Sequence, residues 1–155
     1  MALSNLRVKA TAKEENDRKK AYLNTYLPHV RRIQRINEEI AEVRSMRTSM
    51  QMNCDGMPHG SRQSDLSEYE AKLDEMERNL IRERRERYKA YKDIAGRIKK
   101  LRSENEGDVL FYRYIKGLDW WEIAEKMHYS ERWIYKIHGR ALIHLEIPKE
   151  FSEVQ

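Results

Sequence analysis

Apolar residues recur at helical spacing along most of the chain, and the pattern predicts helices, not strands. From His29 to about Met50 they fall three or four positions apart, as in an amphipathic helix. These positions are Val30, Ile33, Ile36, Ile40, Val43, Met46 and Met50. A shorter stripe precedes Pro28 on a strongly charged segment and comprises Tyr22, Leu23, Tyr26 and Leu27. Residues 1–10 show no clear period and are expected to be mobile.

A second long helix is predicted after residues 51–65, which contain two glycines and a proline and are expected to form a loop. Asp65 or Ser67 can cap this helix. Its apolar seam comprises Leu66, Tyr69, Leu73, Met76, Leu80, Tyr91, Ile94, Ile98 and Leu101. Charged residues, Glu83 and Arg87, stand where this seam should have apolar ones. The interruption marks either the end of a hairpin or a second surface that meets another subunit. Two such helices most simply fold back as an antiparallel hairpin.

Residues 107–145 read as three short helices separated by two breaks. Gly117 is predicted to end the first helix. Asp119 can cap the second helix, with Glu122 three residues later as its capping-box partner. Ser130 can cap the third helix. The order of these elements is that of a helix-turn-helix unit.

Upstream of this unit, Ser103 and Glu106 repeat the capping-box pattern, so a domain boundary is expected there. The sequence therefore predicts an all-α protein. An N-terminal helical hairpin or coiled coil for assembly spans 1–103, a three-helix helix-turn-helix domain spans 104–147, and a tail spans 148–155.

The third helix of the C-terminal unit has one apolar and one polar face. Its expected buried residues, together with those of the second helix, are Ile123, Ala124, Ile134, Ile137, Ala141 and Leu142. Ala124 is small enough to let the two helices cross closely. The turn has His128 where helix-turn-helix motifs usually place a glycine with positive φ, a conformation that His tolerates better than most residues.

The residues left outside on the third helix form a polar set suited to a DNA groove, although they could also be the solvated face of a last bundle helix. They are Glu131, Arg132, Tyr135, Lys136 and Arg140, preceded by Ser130. Arg132 and Lys136 can donate to guanine or phosphate, and Glu131 can accept from a cytosine amine. Tyr135 can stack on a sugar or touch a thymine methyl group.

Three tryptophans flank the same surface. Trp120 is in phase with Ile123 and is expected in the core. Trp121 is expected to point away from the core and to lie against the sugar-phosphate backbone. Trp133 adjoins the buried Ile134, and the pattern leaves open whether it is core or DNA contact.

Charge is distributed unevenly along the chain, although the formal net charge is only +5. Residues 1–35 hold nine basic against three acidic residues, and residues 82–103 hold ten against three. Both concentrations favour nucleic acid or another polyanion as a partner. The run from Arg82 to Arg102 is either a solvated helix face, with pairs such as Glu83 and Arg87, or a phosphate-binding surface. The expected phosphate contacts nearest the C-terminal unit are Arg97, Lys99, Lys100 and Arg102. Double-stranded DNA is the expected partner.

Other classes of function find little support. Cys54, Asp55 and His59 make at most half a zinc site, and the remaining histidines are expected to be polar surface or phosphate contacts; these are His128, His138 and His144. No catalytic motif is present, so neither an enzyme nor a cofactor is predicted. One cysteine and the absence of an apolar span or signal peptide predict a soluble, cytoplasmic protein that does not enter a membrane.

The C-terminal segment resembles region 4 of bacterial sigma factors, the promoter −35 reader, in LFYRYIKGLDWWEIAEKMHYSERWIYKIHGRALIHL. The base-reading positions that this resemblance implies are Glu131, Arg132, Trp133, Tyr135 and Lys136. The whole chain resembles small phage and prophage transcriptional regulators of the RinA and ArpU type, chiefly through RYIKGLDWWEIAEKMHYS and IYKIHGRAL. That resemblance implies activation of phage late genes in a bacterial host.

The sequence thus predicts a DNA-binding regulator that assembles as a homo-oligomer through its N-terminal helices. A phage small terminase, which joins a helix-turn-helix to assembly helices, is the first alternative. A sigma-like factor that binds host RNA polymerase is the second.

Overall fold

All secondary structure in the described part of the chain is helical. The computed structural model describes residues 2–52 and 62–152, and it confirms the all-α prediction. The helices are α1 (Ala2–Leu23), α2 (Tyr26–Met52), α3 (Arg62–Ile98), α4 (Glu104–Leu110), α5 (Trp120–Met127), α6 (Glu131–His144) and α7 (Lys149–Ser152). A π-helical turn, Phe111–Ile115, continues α4.

The helix ends differ from the predicted ones in several places. Residues 2–10 are the first part of α1, and the predicted loop is helical at 51–52 and 62–65. Its middle, with Cys54, Asp55 and His59, lies outside the described residues. α3 runs without a break past Glu83 and Arg87, because charged residues with straight side chains favour a helix even where they interrupt an apolar seam.

Two compact units make up the chain. One unit combines Met1–Pro28 with Lys89–Gln155, and the other is His29–Tyr88. This division differs from the boundary expected between residues 103 and 104, because α1 and the end of α3 share a core with the C-terminal helices.

In the unit His29–Tyr88, α2 and α3 pack against each other in antiparallel directions. The shared core comprises Ile33, Ile40, Leu73, Met76 and Leu80. Ion pairs join Arg44 to Glu77 at 2.8 Å and Arg47 to Glu70 at 3.4 Å. Moving forward along α2 thus moves backward along α3. Glu83, which would pair with Arg87 if the basic run were a solvated helix face, contacts His29 and Arg32 of α2.

The other unit holds two apolar clusters with α6 in both. The first cluster comprises Tyr22, Leu23, Ile94, Ile98, Leu110, Tyr114, Ile115, Ala141, Leu142 and Leu145. The second comprises Val109, Ile123, Ala124, Ile134 and Ile137. The predicted buried residues of the C-terminal helices are confirmed by these clusters. Because α6 is buried along one side only, its other side remains at the surface.

Lys19 of α1 is a buried cation, with 6% of its surface exposed. Its ammonium donates to the carbonyl oxygen of Leu142 at 2.8 Å and lies 3.4 Å from that of Ile143. Glu15 is 3.0 Å from the same nitrogen. The last carbonyls of a helix lack partners within it and carry partial negative charge. Lys19 therefore binds α1 to the C-terminal end of α6.

Replacing Lys19 should destabilise this unit. Lys19→Met keeps the aliphatic stem but removes the donor, leaving buried carbonyls of α6 without a partner. We expect the free energy of unfolding to fall by about 1–3 kcal/mol, measured by urea denaturation. Lys20→Met is the matched control, because the neighbouring Lys20 is only half-buried and pairs with Asp17 on its own helix. Equal midpoints for both variants would show that the contact contributes nothing.

Candidate nucleic-acid interface

Local hydrogen bonds define the breaks around α5 and α6. Gly117 has a φ of 72° and follows the π-helical turn. At the start of α5 the predicted capping box is present, and Glu122 Oε2 accepts from the Asp119 backbone N–H at 2.6 Å. Ser130 caps α6, since its Oγ accepts from the backbone N–H of Trp133 at 3.3 Å. These predictions are confirmed.

His128 makes the turn between α5 and α6. Its φ of 58° and ψ of 40° place it in the left-handed region, as expected for the position that usually holds glycine. The backbone N–H of Tyr129 donates to the carbonyl of Ala124 at 3.0 Å and closes the end of α5. The chain thereby turns from one helix into the next within three residues.

The capping box predicted at Ser103 is wrong in one respect. Ser103 does precede α4, but its side chain makes no capping hydrogen bond. Glu106 is buried, and its carboxylate lies 2.8 Å from His144 Nδ1 at the end of α6. A tertiary partner has thus taken the carboxylate that a local cap would use.

The residues predicted to read DNA lie on the exposed side of α6. These are Glu131, Arg132, Trp133, Tyr135, Lys136 and Arg140, all classed as exposed, beside the exposed cap Ser130. Between them Ile134 and Ile137 are at most 2% exposed. The helix therefore presents one polar and aromatic face while its apolar side is fixed in the core.

Trp133 lies on this face with 41% of its surface exposed, so it is not a core residue. The cationic groups of Lys136 and Arg140 each lie 5.5 Å from its ring centroid. Such cation–π contacts restrict two long side chains. The result is an aromatic ring in contact with two cations at the protein surface.

The other two tryptophans differ in burial. Trp120 is partly buried and packs on the second cluster, with its ring 4.9 Å from those of Tyr135 and His138. The Arg113 guanidinium lies over it at 4.7 Å. Trp121 is 57% exposed, in agreement with the expectation that it points away from the core. Trp120 therefore packs between the second cluster and Tyr135.

His138 is buried, which corrects the expectation that it is polar surface. Its Nε2 shares a hydrogen bond with Tyr114 Oη at 3.0 Å. Burial lowers the pKa of His138 to about 4, with smaller effects from the cations of Lys20 and Arg113. Burial also raises the pKa of Tyr114 to about 12. Near neutral pH both groups are uncharged, so the buried side of α6 carries no ionised histidine.

An open cavity of about 640 Å³ adjoins the N-terminal end of α6. Its lining comprises Ser103, Asn105, His128, Tyr129, Ser130, Trp133, Ile137 and Arg140. Asn105 Nδ2 donates to Tyr129 Oη at 3.5 Å. Sequence reasoning did not single out Asn105 or Tyr129, because their proximity depends on how α4 packs against α6. They supply polar groups beside Arg140 and Trp133.

The predicted phosphate contacts lie at the end of α3 and just after it. Lys99, Lys100 and Arg102 are exposed. Arg97 is more restricted, because it pairs with Asp93 at 3.1 Å and donates to the carbonyl of Glu146 at 3.3 Å. Three of the four cations are therefore accessible to an external anion.

Within residues 11–50 and 65–151, whose side chains are described, no three His, Cys, Asp or Glu residues are grouped to hold a metal ion. No helix in the described ranges is long and apolar enough to cross a membrane. Comparisons of the chain with protein families, curated proteins and solved structures found no match.

Substitution of His128 should reveal the cost of its backbone conformation. The left-handed region costs a side-chain-bearing residue about 1–2 kcal/mol, whereas glycine adopts it freely but loses about 0.5–1 kcal/mol in chain entropy. We expect His128→Gly to raise the free energy of unfolding by about 0.5–1 kcal/mol, measured by urea denaturation. His128→Val should lower it. If valine is tolerated as well as glycine, the turn does not require this conformation.

Stability should depend on pH through His138. Its pKa is about 4 in the folded protein against an ordinary value of 6.5, so the unfolded chain binds more protons between these values. The contribution is complete above pH 6.5 and is lost as the pH falls towards 4, by about 3 kcal/mol in total. His138→Gln, which can keep a hydrogen bond to Tyr114, should remove this part of the pH dependence of unfolding. Titration of the His138 ring near 6.5 by NMR would contradict the assignment.

Proposed function

We propose that this protein is a sequence-specific DNA-binding transcription regulator that reads the major groove with α6. The observation that carries the proposal is the exposed face of α6, where polar and aromatic side chains cover the first turns. A helix of this diameter enters the major groove, and its N-terminal residues reach the base edges. The apolar side of α6 is buried, so only this face is available to a partner.

The chemistry of the face matches the groups displayed in the groove. Arg132 and Lys136 carry donors for guanine O6 and N7, and Glu131 can accept from the amino group of cytosine. Tyr135, supported by Trp120, can contact a thymine methyl group. These side chains distinguish base pairs, whereas a purely basic face would bind phosphate without discrimination.

Phosphate contacts are assigned to positions outside the groove-reading face. Trp121 and Ser130 flank α6 and would lie against the backbone. Lys99, Lys100 and Arg102 are exposed cations that add salt-dependent affinity but no sequence preference.

The resemblance of the C-terminal segment to sigma region 4 supports a role at promoters. By the further resemblance to RinA- and ArpU-type regulators, we infer activation of phage late genes in the cytoplasm of a bacterial host. The regulator would bind upstream of a promoter as a homo-oligomer, since one helix reads only a few base pairs and two copies would read two half-sites. Contact with host RNA polymerase fits the same position. The proposal assigns no catalytic residue and no cofactor.

Footprinting on the DNA that flanks the gene tests this function. Wild-type protein should protect a specific site upstream of a promoter. Arg132→Ala and Lys136→Ala should each weaken protection by roughly 5- to 150-fold, because each removes a base or phosphate donor worth about 1–3 kcal/mol.

The matched control is Lys72→Ala, which removes an exposed lysine from α3 in the other unit and lies outside both basic runs. It should protect the site at the wild-type concentration. Protection by the α6 variants equal to that of wild type would show that another surface reads the DNA. The absence of any specific site would overturn the proposed function itself.

A further inference from the structure

A second surface runs along α3 and contacts α2 only at its edge, where Glu77 pairs with Arg44. Its residues are spaced three and four apart, and we call them the outer stripe: Asp74, Glu77, Arg78, Ile81, Arg84, Arg85 and Tyr88. All are exposed, and they belong to one compact unit. At about 100° per residue, Ile81 points well away from its buried neighbour Leu80. Apart from the pair of Glu77 with Arg44, no hydrogen bond or ion pair joins the stripe to the rest of the described chain.

Two large apolar side chains lie on the outer stripe. Ile81 is 52% exposed and Tyr88 is 64% exposed. Ile81 is near the middle of α3, and Tyr88 follows two turns later. Apolar residues at this spacing are the pattern by which helices pair.

The net charge of the outer stripe changes sign at Ile81. Asp74, Glu77 and Arg78 on the N-terminal side sum to −1, whereas Arg84 and Arg85 on the C-terminal side sum to +2. Neither of these arginines has an ion-pair partner among the described residues. Arg82 adds a further positive charge three positions before Arg85, and like charges at this spacing destabilise a helix. The basic half of the stripe therefore lacks the negative charge that would neutralise it.

We propose that the outer stripe binds the outer stripe of a second copy, with the two α3 helices antiparallel and the two Ile81 side chains at the centre. A two-fold axis at Ile81 makes the contact self-complementary. Each residue then lies at the height of the residue equally far on the other side of Ile81. Tyr88 consequently faces Asp74 of the second copy, whose carboxylate can accept from the phenol.

Flanking charges complete the pairing. In antiparallel helix pairs, the residues beside the seam meet residues of the same heptad position. Glu77 therefore lies beside Arg84 of the second copy, and symmetry forms this pair twice. Arg85 can reach Asp74 of the second copy. Only Arg78 meets a like charge, that of Arg85, and its long side chain can turn to solvent.

A second copy fits the outer stripe better than DNA does. The carboxylates of Asp74 and Glu77 would repel phosphate, and exposed Ile81 gains nothing from a phosphate backbone. The acidic half of another stripe instead supplies what the basic half lacks. The proposal deepens the proposed function, on which its role of joining two half-sites rests, but the association itself requires no DNA.

Sedimentation equilibrium of the full chain without DNA tests the pairing. Wild-type protein should move from its chain mass of 18.7 kDa towards twice that mass as concentration rises. Arg84→Glu and Glu77→Arg should each weaken association by about tenfold, because two attractive pairs become repulsive. An equimolar mixture of the two variants should recover the dimer, since each charge again meets its opposite. The wild-type dimer should also weaken near 1 M salt, where screening acts over about 3 Å.

Arg82→Glu is the matched control, because it makes the same change of charge on α3 about 100° away from Ile81. It should associate like wild type. Far-ultraviolet circular dichroism of every variant checks that α3 is intact, which matters for Glu77 because it also pairs with Arg44.

Three outcomes would overturn the proposal: a monomer at all concentrations, equal association of wild type and Arg84→Glu, or no recovery in the mixture. If Arg84→Glu lowers DNA affinity while the mass is unchanged, the basic half of the stripe binds DNA and not a second copy. Loss of the dimer with specific DNA protection retained would leave the proposed function standing, whereas a dimer without any DNA site would contradict that function alone.

Discussion

The orientation of α6 depends on a buried contact between residues 123 positions apart, Lys19 on α1 and Leu142 near the end of α6. A buried ammonium must have partners, and helix-end carbonyls have free lone pairs and partial negative charge. The Lys19 ammonium and the carbonyls at the end of α6 therefore supply each other's hydrogen-bond partners. Since Ser130 caps the opposite end, both ends of α6 are bound by hydrogen bonds, and its rotation about its own axis is limited.

The buried side of α6 is kept uncharged by a related constraint. His138 and Tyr114 share a hydrogen bond, and burial favours the uncharged form of each. His138 also packs against Trp120, which in turn contacts Tyr135 on the exposed face. The groups that would meet DNA are thus supported by a packed aromatic layer, and side chains that are held in place lose less entropy on binding.

The His29–Tyr88 unit differs in character from the unit that contains α6. Its core is small and consists of a single seam between α2 and α3, while most of its surface is charged. A helix pair of this kind buries little apolar area by itself. The outer stripe, which exposes Ile81 and Tyr88, could bury further apolar area by association with a second copy. A regulator that reads two half-sites would need such an association.

The sequence by itself determined the features that depend on neighbours within about four residues. The capping box of Asp119 and Glu122, the cap at Ser130, the left-handed His128 and the end at Gly117 all involve local hydrogen bonds or backbone conformation, so the sequence pattern suffices to predict them. The helical period likewise predicted the buried and exposed faces of α6.

Tertiary structure alone decided the features for which local and distant partners compete. The Glu106 carboxylate could either complete a local capping box or pair with His144. Its burial favoured the pair with His144. His138 looked like a surface residue because nothing nearby in sequence indicates Tyr114. The burial of Lys19 and the meeting of Asn105 with Tyr129 depend on how α1 and α4 pack against α6. Such contacts join residues far apart in the chain, where no sequence period reports them.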